Sequence, residues 1–427
     1  MDNSVNVAAV AVLLLMAVSI ITYLVNNIRV AQAVVRTVDV ERDYLRGRVA
    51  RLAARKQFEL ERTQFGWNGF RKFQIARKVD EGGGICSFHL RAHDKRPLPP
   101  FLPGQYLTFR LQLPTDRQAT TIRCYSLSDA PNPEYYRISI KRAPPPRDPT
   151  KANLAASVSN FFHDHLAEGD IVDVKAPAGE FILDVAHQTP IVLIGGGVGL
   201  TPMLSMLNAI IASGSRREVW FFYGVRNRDE HIMRDRFNEI ARDYEYLRIN
   251  VCYSDPTERC VKGSDYHQGE RVSVDLLKKL LPSNNYNYYL CGPPPMMVSL
   301  FDGLREWGVP EADIHSEAFG PATVKKLPVS SDAAAAVAAA AKSGITVTFA
   351  KTGKTLGWDI NASSLLDFAE INGVAIACGC RAGSCGTCIT AVKGGEVQYL
   401  REPGNKPEAG SCFTCISVPR SDLVLDA

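Results

Sequence analysis

The sequence predicts a multidomain chain of α+β and α/β class. It comprises an N-terminal transmembrane helix, an antiparallel β domain, a parallel α/β domain and a small C-terminal domain holding six of the eleven cysteines. Residues 7–25 carry no charge, and residues 66–184 contain segments that alternate apolar and polar positions between Pro and Gly turns. Pro190–Ile194 is an unbroken apolar stretch running into a glycine-rich turn. Alternation marks a strand with one buried face, and an unbroken run fits a strand buried on both. At 427 residues the chain can build about three cores.

From Val7 to Val25 the chain holds eleven Val, Leu and Ile residues. At about −0.3 to −0.6 kcal/mol each near a bilayer centre, these favour insertion by roughly 3 to 6 kcal/mol. Such a run is long enough to cross a hydrocarbon core of about 30 Å. A cleaved signal peptide is the alternative, and Ala31-Gln32-Ala33 fits a cleavage site. The apolar run is long for that, and no Lys or Arg precedes it, so residues 1–28 are expected to be an uncleaved anchor. Arg29, Arg36, Arg42, Arg46, Arg48, Arg51, Arg55 and Lys56 follow the run, against Asp2 alone before it. The positive-inside bias then gives a single-pass protein of the inner (cytoplasmic) membrane with its catalytic domains in the cytoplasm. Within residues 29–65, Val34, Val38, Tyr44, Leu45, Val49, Leu52 and Phe58 recur at helical intervals. This is either a juxtamembrane helix lying on anionic lipid or a partner, or a solvated spacer helix.

The net charge of +4 is small for this length and asks for no nucleic-acid partner. An odd cysteine count, weighted toward the C-terminus, fits a metal site in a reducing compartment better than a disulfide framework.

In the β domain, residues 66–184, Arg123-Cys124-Tyr125-Ser126 resembles the flavin motif R-x-Y-S of the ferredoxin-NADP reductase superfamily. The resemblance extends through Gly104-Gln105-Tyr106, Tyr136–Arg142, Val158–Phe162 and Ala176–Gly179, and implies an antiparallel β-barrel that binds FAD rather than FMN. Arg123 offers a guanidinium fork to the flavin diphosphate, and Tyr125 a ring to stack on the isoalloxazine. Ser126 is placed to donate near flavin N5, and Ser159 and Asn160 are expected to open a helix whose free N–H groups face the diphosphate.

The next domain, residues 185–321, runs from its first strand into Gly195-Gly196-Gly197-Val198-Gly199-Leu200-Thr201. A glycine-rich turn between a parallel strand and a helix cradles a diphosphate. The spacing departs from the dinucleotide fingerprint G-x-G-x-x-G and resembles the nicotinamide loop of the same superfamily. Cys291-Gly292-Pro293-Pro294-Pro295-Met296 resembles its C-G-P-P-x-M motif, which implies that Cys291 aligns the nicotinamide with the flavin. Glu317-Ala318-Phe319-Gly320 closes the module, with Phe319 expected to cover the flavin. Where NADP-dependent members carry Ser-Arg, this chain has Ser254-Asp255. A carboxylate there repels a 2′-phosphate and accepts from a free ribose 2′-OH, so NADH is the expected coenzyme. Arg226 and Arg228 nearby weigh the other way.

Residues 322–344 read as a linker with an alanine tract, a tether on which the last domain can swing. In that domain, residues 345–427, Cys380, Cys385 and Cys388 have C-x4-C-x2-C spacing and Cys415 follows at a distance, the plant-type 2Fe-2S pattern. A zinc ribbon from Cys385, Cys388, Cys412 and Cys415 is the alternative, and a reduced thiol-rich loop the plainer one. Residues 380–388 and Cys415–Pro419 resemble the ferredoxin cluster loop and its last ligand segment, which implies a β-grasp domain. Cys378 and Cys412 are then non-ligands.

The order flavin, nicotinamide, ferredoxin resembles the reductase components of multicomponent oxygenases. That implies electron flow from NADH through FAD and 2Fe-2S to an acceptor protein, expected to be a Rieske-type or other iron-dependent oxygenase. A subunit of a respiratory or quinone-reducing membrane complex is the alternative. A flavohaemoglobin-like protein is disfavoured, since the residues before the flavin domain are too few for a globin.

Overall fold

No proline interrupts the first 65 residues, and they form one helix, α1 (Asp2–Phe65), in a computed structural model of the chain. The structure describes residues 2–113, 120–144, 154–317, 319, 344–359, 362–404 and 407–427. Its 64 residues give α1 a length of about 96 Å at 1.5 Å per residue. The expected anchor and juxtamembrane helix are thus one unbroken helix, and the segment Met1–Thr63 is a unit separate from Gln64–Ala427. Among the described residues, Leu13–Gln32 is long and apolar enough to cross a membrane, and it overlaps the expected Val7–Val25.

The second unit begins with β1 (Arg71–Gly82), β2 (Ile85–Ala92), β3 (Tyr106–Gln112), β4 (Thr120–Ser126), β5 (Tyr136–Lys141), α2 (Leu154–Asp164) and β6 (Ile171–Ala178). The strands form one antiparallel sheet in the order β4-β3-β6-β1-β2-β5. Its two edges meet through an antiparallel bridge from Leu127 to Ile138. In β1, Phe73 and Ile75 are buried while Lys72 and Gln74, alternating with them, are exposed, the period of two that puts one face on a core.

Then follow β7 (Ile191–Gly196), α3 (Leu200–Ala212), β8 (Val219–Val225), α4 (Arg234–Asp243), β9 (Leu247–Tyr253), α5 (Val274–Leu280), β10 (Asn287–Cys291), α6 (Pro294–Glu306) and β11 (Ile314–Glu317). The sheet is wholly parallel, ordered β11-β10-β7-β8-β9. Ile191 and Leu193 enter one core with α3 and α4, and Val192 and Ile194 enter another with α5 and α6. Two covered faces explain the unbroken apolar run of β7.

The last part holds β12 (Thr346–Phe349), β13 (Lys354–Gly357), α7 (Leu365–Ile371), β14 (Ile389–Gly394), β15 (Val397–Tyr399), β16 (Ser411–Phe413), β17 (Ser417–Pro419) and β18 (Leu423–Leu425). A mixed sheet, β13-β12-β18-β14-β16, packs on α7, whose N-cap Ser364 accepts from Asp367 N. The expected linker, apart from Gly344, lies outside the described residues, as do Ala318 and Gly320.

Candidate functional site

Strand alternation puts Arg123 and Tyr125 on one face of β4 and Cys124 and Ser126 on the other. Tyr125 packs edge-on against Phe109 and Phe162 at 5.8 and 5.2 Å between ring centroids. Burial pushes its phenol up to about 12, against a hydrogen bond with Ser159 and the nearby Arg123. Arg123 is half-buried, its Nη1 donating to Ile122 O at 2.7 Å. Ser126 is buried and donates to Glu317 Oε2 at 3.4 Å.

Ser159 and Asn160 do not open a helix, because α2 is already formed from Leu154 and both lie in its later turns. The free N–H groups of that helix belong to earlier residues. Ser159 instead meets Tyr125, and the Asn160 side chain is tied to both backbone groups of Ala143, at 3.0 and 3.3 Å.

At the C-terminal edge of the parallel sheet, Gly195 and Gly196 end β7, and a single 3-10 turn, Gly197–Gly199, leads into α3. A Cβ on Gly199 would collide with the carbonyl of Cys291, and one on Gly196 with Met296 and Pro293. The loops after β7 and β10 therefore close on each other only because both positions are glycine. Gly292 lies within the same contact, and Thr201 is buried with its hydroxyl on Val198 O at 3.1 Å. Cys291 is fully buried, in register with Gly195 on one side and Glu317 on the other. Burial, and then Glu317, push its thiol well up, so it stays protonated. Asp255 is exposed after β9, and its N–H donates to Arg226 O at 2.8 Å. Arg228 lies 3.8 Å from the buried carboxylate of Asp265. Phe319 is 37% exposed.

The four expected ligands fall into two pairs. Cys388 Sγ is 3.1 Å from Cys415 Sγ. Cys380 and Cys385 are joined reciprocally, each backbone N–H donating to the other's Sγ at 3.3 Å. Ala382 N–H and Thr387 N–H add further bonds to Cys380 Sγ and Cys385 Sγ, at 3.4 and 3.5 Å. Among the described residues no three ligands converge on a single point, as one zinc ion requires. Two pairs of thiols with amide donors to their sulfurs fit two irons. Cys412 is fully buried in the core of the mixed sheet, which argues against the zinc ribbon, and Cys378 is half-buried beside Arg381 and Glu370.

Residues 193–300 match the oxidoreductase NAD-binding domain, and residues 347–420 match the 2Fe-2S iron-sulfur cluster binding domain. A flavohemoprotein of Bacillus thuringiensis subsp. konkukian is 39% identical over 264 residues, 62% of this chain and 64% of that protein. The chain thus spans less than two thirds of that relative. The FAD/NAD-binding domain of nitric oxide dioxygenase from Vibrio cholerae O1 biovar El Tor is similar with a TM-score of 0.51 and 31% identity, over 60% of this chain and 100% of that one. Phthalate dioxygenase reductase is similar with a TM-score of 0.50 and 28% identity, over 84% of this chain and 98% of that one. The chain belongs to the ferredoxin-NADP reductase superfamily. It is an NAD(P)H-dependent oxidoreductase that uses FAD, a nicotinamide coenzyme and a 2Fe-2S cluster to transfer electrons.

In this reductase the cluster loop sits against the antiparallel sheet. Tyr106 OH is 2.6 Å from Ser384 Oγ, and Lys175 Nζ donates to Cys385 O at 3.4 Å. Glu317 joins the modules. Half-buried, it accepts from Ser126, lies beside Cys291 in register, and feels Cys380. Burial first, and Cys380 second, raise its carboxyl to about 8. Sequence reasoning named Glu317 only as the end of a module, because its position opposite Cys291 is a matter of sheet register. Cys124 occupies the unspecified position of R-x-Y-S, where the motif carries no signal.

Proposed function

We propose that this reductase is a membrane-anchored, NADH-preferring member that passes electrons from NADH through FAD and the 2Fe-2S cluster to an acceptor protein, a Rieske-type or other iron-dependent oxygenase. The observation that carries it is the seat of the cluster loop on β3 and β4, which bear the flavin motif, with the nucleotide loops reaching the same place through Glu317 and Ser126. FAD converts a two-electron donor into the one-electron currency of the cluster. Around it, Arg123 would hold the diphosphate, Tyr125 would stack beside the ring, and Ser126 would donate toward N5 in place of Glu317. Gly195, Gly196, Gly197, Gly199, Thr201 and Gly292 form the nucleotide cradle, Asp255 takes the ribose, and the buried thiol of Cys291 packs against the nicotinamide. Glu317 keeps a proton between Ser126 and Cys291 at neutral pH. Cys380, Cys385, Cys388 and Cys415 hold the cluster.

Similarity to phthalate dioxygenase reductase over nearly its whole length supports the oxygenase-reductase assignment. A plant-type cluster at about −400 mV would reduce a Rieske centre at about −150 mV with roughly four decades of equilibrium constant in hand. The anchor is supported by the helix itself: every side chain from Leu13 to Gln32 is exposed, so this is no core helix. It also runs on unbroken through Ala31-Gln32-Ala33. If it spans the bilayer, residues 29–65 project from it as a stalk instead of lying flat on lipid.

The test is removal of residues 1–63. NADH oxidation with a one-electron dye should stay within about twofold, while turnover with native membranes should fall at least tenfold, as confinement no longer raises the effective concentration of the acceptor. Equal rates on those membranes would overturn the anchoring. A rate recovered by added quinone alone would move the acceptor to a quinone-reducing complex.

A further inference from the structure

The two thiol pairs of the cluster loop have different neighbours. Cys388 and Cys415 are buried inside the C-terminal domain, where Thr414 N–H and Oγ1 both donate to Cys388 O. Cys380 and Cys385 instead face the antiparallel sheet. A Cβ placed on Gly379 would lie 3.0 Å from Cys385 Sγ and 3.3 Å from Cys124 Sγ, so the two sulfurs flank one point that only glycine leaves open. The Cys124 and Cys385 sulfurs thus lie either side of one point, and Thr108 Oγ1 sits 3.4 Å from the Cys124 sulfur. On the neighbouring strand, Tyr106 OH reaches Ser384 Oγ at 2.6 Å, and Ser384 Oγ donates to Cys380 Sγ at 3.5 Å.

We propose that Cys124 and Tyr106 are positioning residues that tune the cluster from the flavin domain. Cys124 donates directly to the Cys385 sulfur, and Tyr106 donates through Ser384 to the Cys380 sulfur. The potential of the cluster then depends on its domain being seated on β3 and β4. The inference rests on the assignment of Cys380, Cys385, Cys388 and Cys415 as the ligands.

The direction of the bonds follows from the chemistry of the donors. A thiolate bound to iron has no proton and only accepts, so the free thiol of Cys124 must be the donor. If Ser384 gives its own proton to Cys380, its oxygen accepts that of Tyr106. Hydrogen bonds to ligand sulfurs favour the more negative, reduced cluster and raise its potential. Linkage makes the effect reciprocal: if docking favours reduction, reduction favours docking by the same factor. An electron arriving from the flavin would thus tighten the seat that received it, and oxidation would loosen it.

The experiment is a potentiometric titration of the full-length protein followed by the electron paramagnetic resonance of the reduced cluster, with iron content measured on every sample. At the wild-type midpoint, Cys124→Ala should shift the ratio of reduced to oxidised cluster about tenfold toward oxidised, a midpoint 59 mV lower for one electron. Cys124→Ser keeps a donor and should restore most of that shift. Tyr106→Phe, acting through Ser384, should move the ratio the same way by about threefold. Wild-type midpoints in Cys124→Ala and Tyr106→Phe at full iron content would overturn the proposal. Equal shifts in Cys124→Ala and Cys124→Ser would overturn it too, because packing and not donation would then be the cause. Wild-type protein without iron would instead overturn the ligand assignment itself.

Discussion

The antiparallel and the parallel sheet present their chemistry in different places, and the number of faces each must bury is the reason. In β7, Ile191 to Ile194 alternate between two cores, so no position inside the strand can reach a ligand. The proposed chemistry starts where burial by helices stops, at Gly195, at the matching end of the adjacent β10, Cys291, and beyond the end of β9, two strands away, at Asp255. In β4, Arg123, Cys124 and Tyr125 are all half-buried within the strand, and both faces are in use. One face carries Arg123 and Tyr125, and the other carries Cys124 toward the cluster loop and Ser126 toward Glu317. On the proposed reading, a strand half-buried on both faces serves two cofactors at once, whereas a strand buried on both sides serves one, from its tip.

Substitutions at a tip and inside β4 should accordingly fail in different ways. The largest effect is expected at the tip: Gly199→Ala drives a Cβ into the backbone of Cys291 and Gly292, which cannot rotate away as a side chain could. Overpacking costs about 1–3 kcal/mol, so kcat/KM for NADH should fall roughly tenfold to a hundredfold. Flavin absorbance and the cluster signal should remain. Loss of flavin or cluster along with NADH turnover would break the distinction between the sheets. Inside β4, Ser126→Ala removes a single hydrogen bond worth about 1 kcal/mol. Stopped-flow reduction of the flavin by NADH should slow about fivefold to tenfold with KM unchanged, the mark of an interaction made in the transition state.

Glu317 connects the two sheets, and its sign with pH is definite. Its folded pKa of about 8 lies above the ordinary carboxyl value of 4.5, because burial disfavours the charge. The stability it contributes is complete below the ordinary value and is lost as the pH rises through about 8. Glu317→Gln should flatten this fall in thermal unfolding between pH 5 and 9. An unchanged slope in the variant would place the titrating group elsewhere.

Much of this was legible because it is local. The apolar run of β7, the glycine turn after it and the ligand spacing of Cys380, Cys385 and Cys388 each rest on residues a few positions apart. What was not legible depends on register or on distant contact. Tyr106 and Ser384 meet across 278 residues, and Glu317 gains its role from pairing with Cys291 in the adjacent strand. Ser159 and Asn160 were misplaced for another reason: both side chains are polar, and polar residues mark helix starts, but α2 begins before them. The stretch after the anchor was ambiguous between a lipid-bound and a spacer helix, since periodicity does not say whether a helix stops. Here it continues through Phe65.

The smallest effect is expected beyond the end of β9, where Asp255 is proposed to set the coenzyme. Its backbone is bonded to Arg226, and both side chains are exposed, so their charges act through water on whatever occupies the ribose position. Arg228 is drawn toward Asp265, which also binds Arg234 at 2.5 Å, and that carboxylate offsets one cation that could otherwise hold a 2′-phosphate. NADH should therefore lead NADPH in kcat/KM. Asp255→Arg exchanges a repelling charge for an attracting one beside Arg226. An exposed pair is worth about 0.2–1 kcal/mol, so the variant should narrow the gap only about twofold to fivefold. The gain should shrink as salt rises, since exposed charges are screened beyond about 10 Å at 0.1 M. A wild-type enzyme that favours NADPH would refute the assignment of Asp255. A salt-independent gain would show that the arginine acts by a buried contact, and the tip would then be less open to water than the exposure of both residues implies.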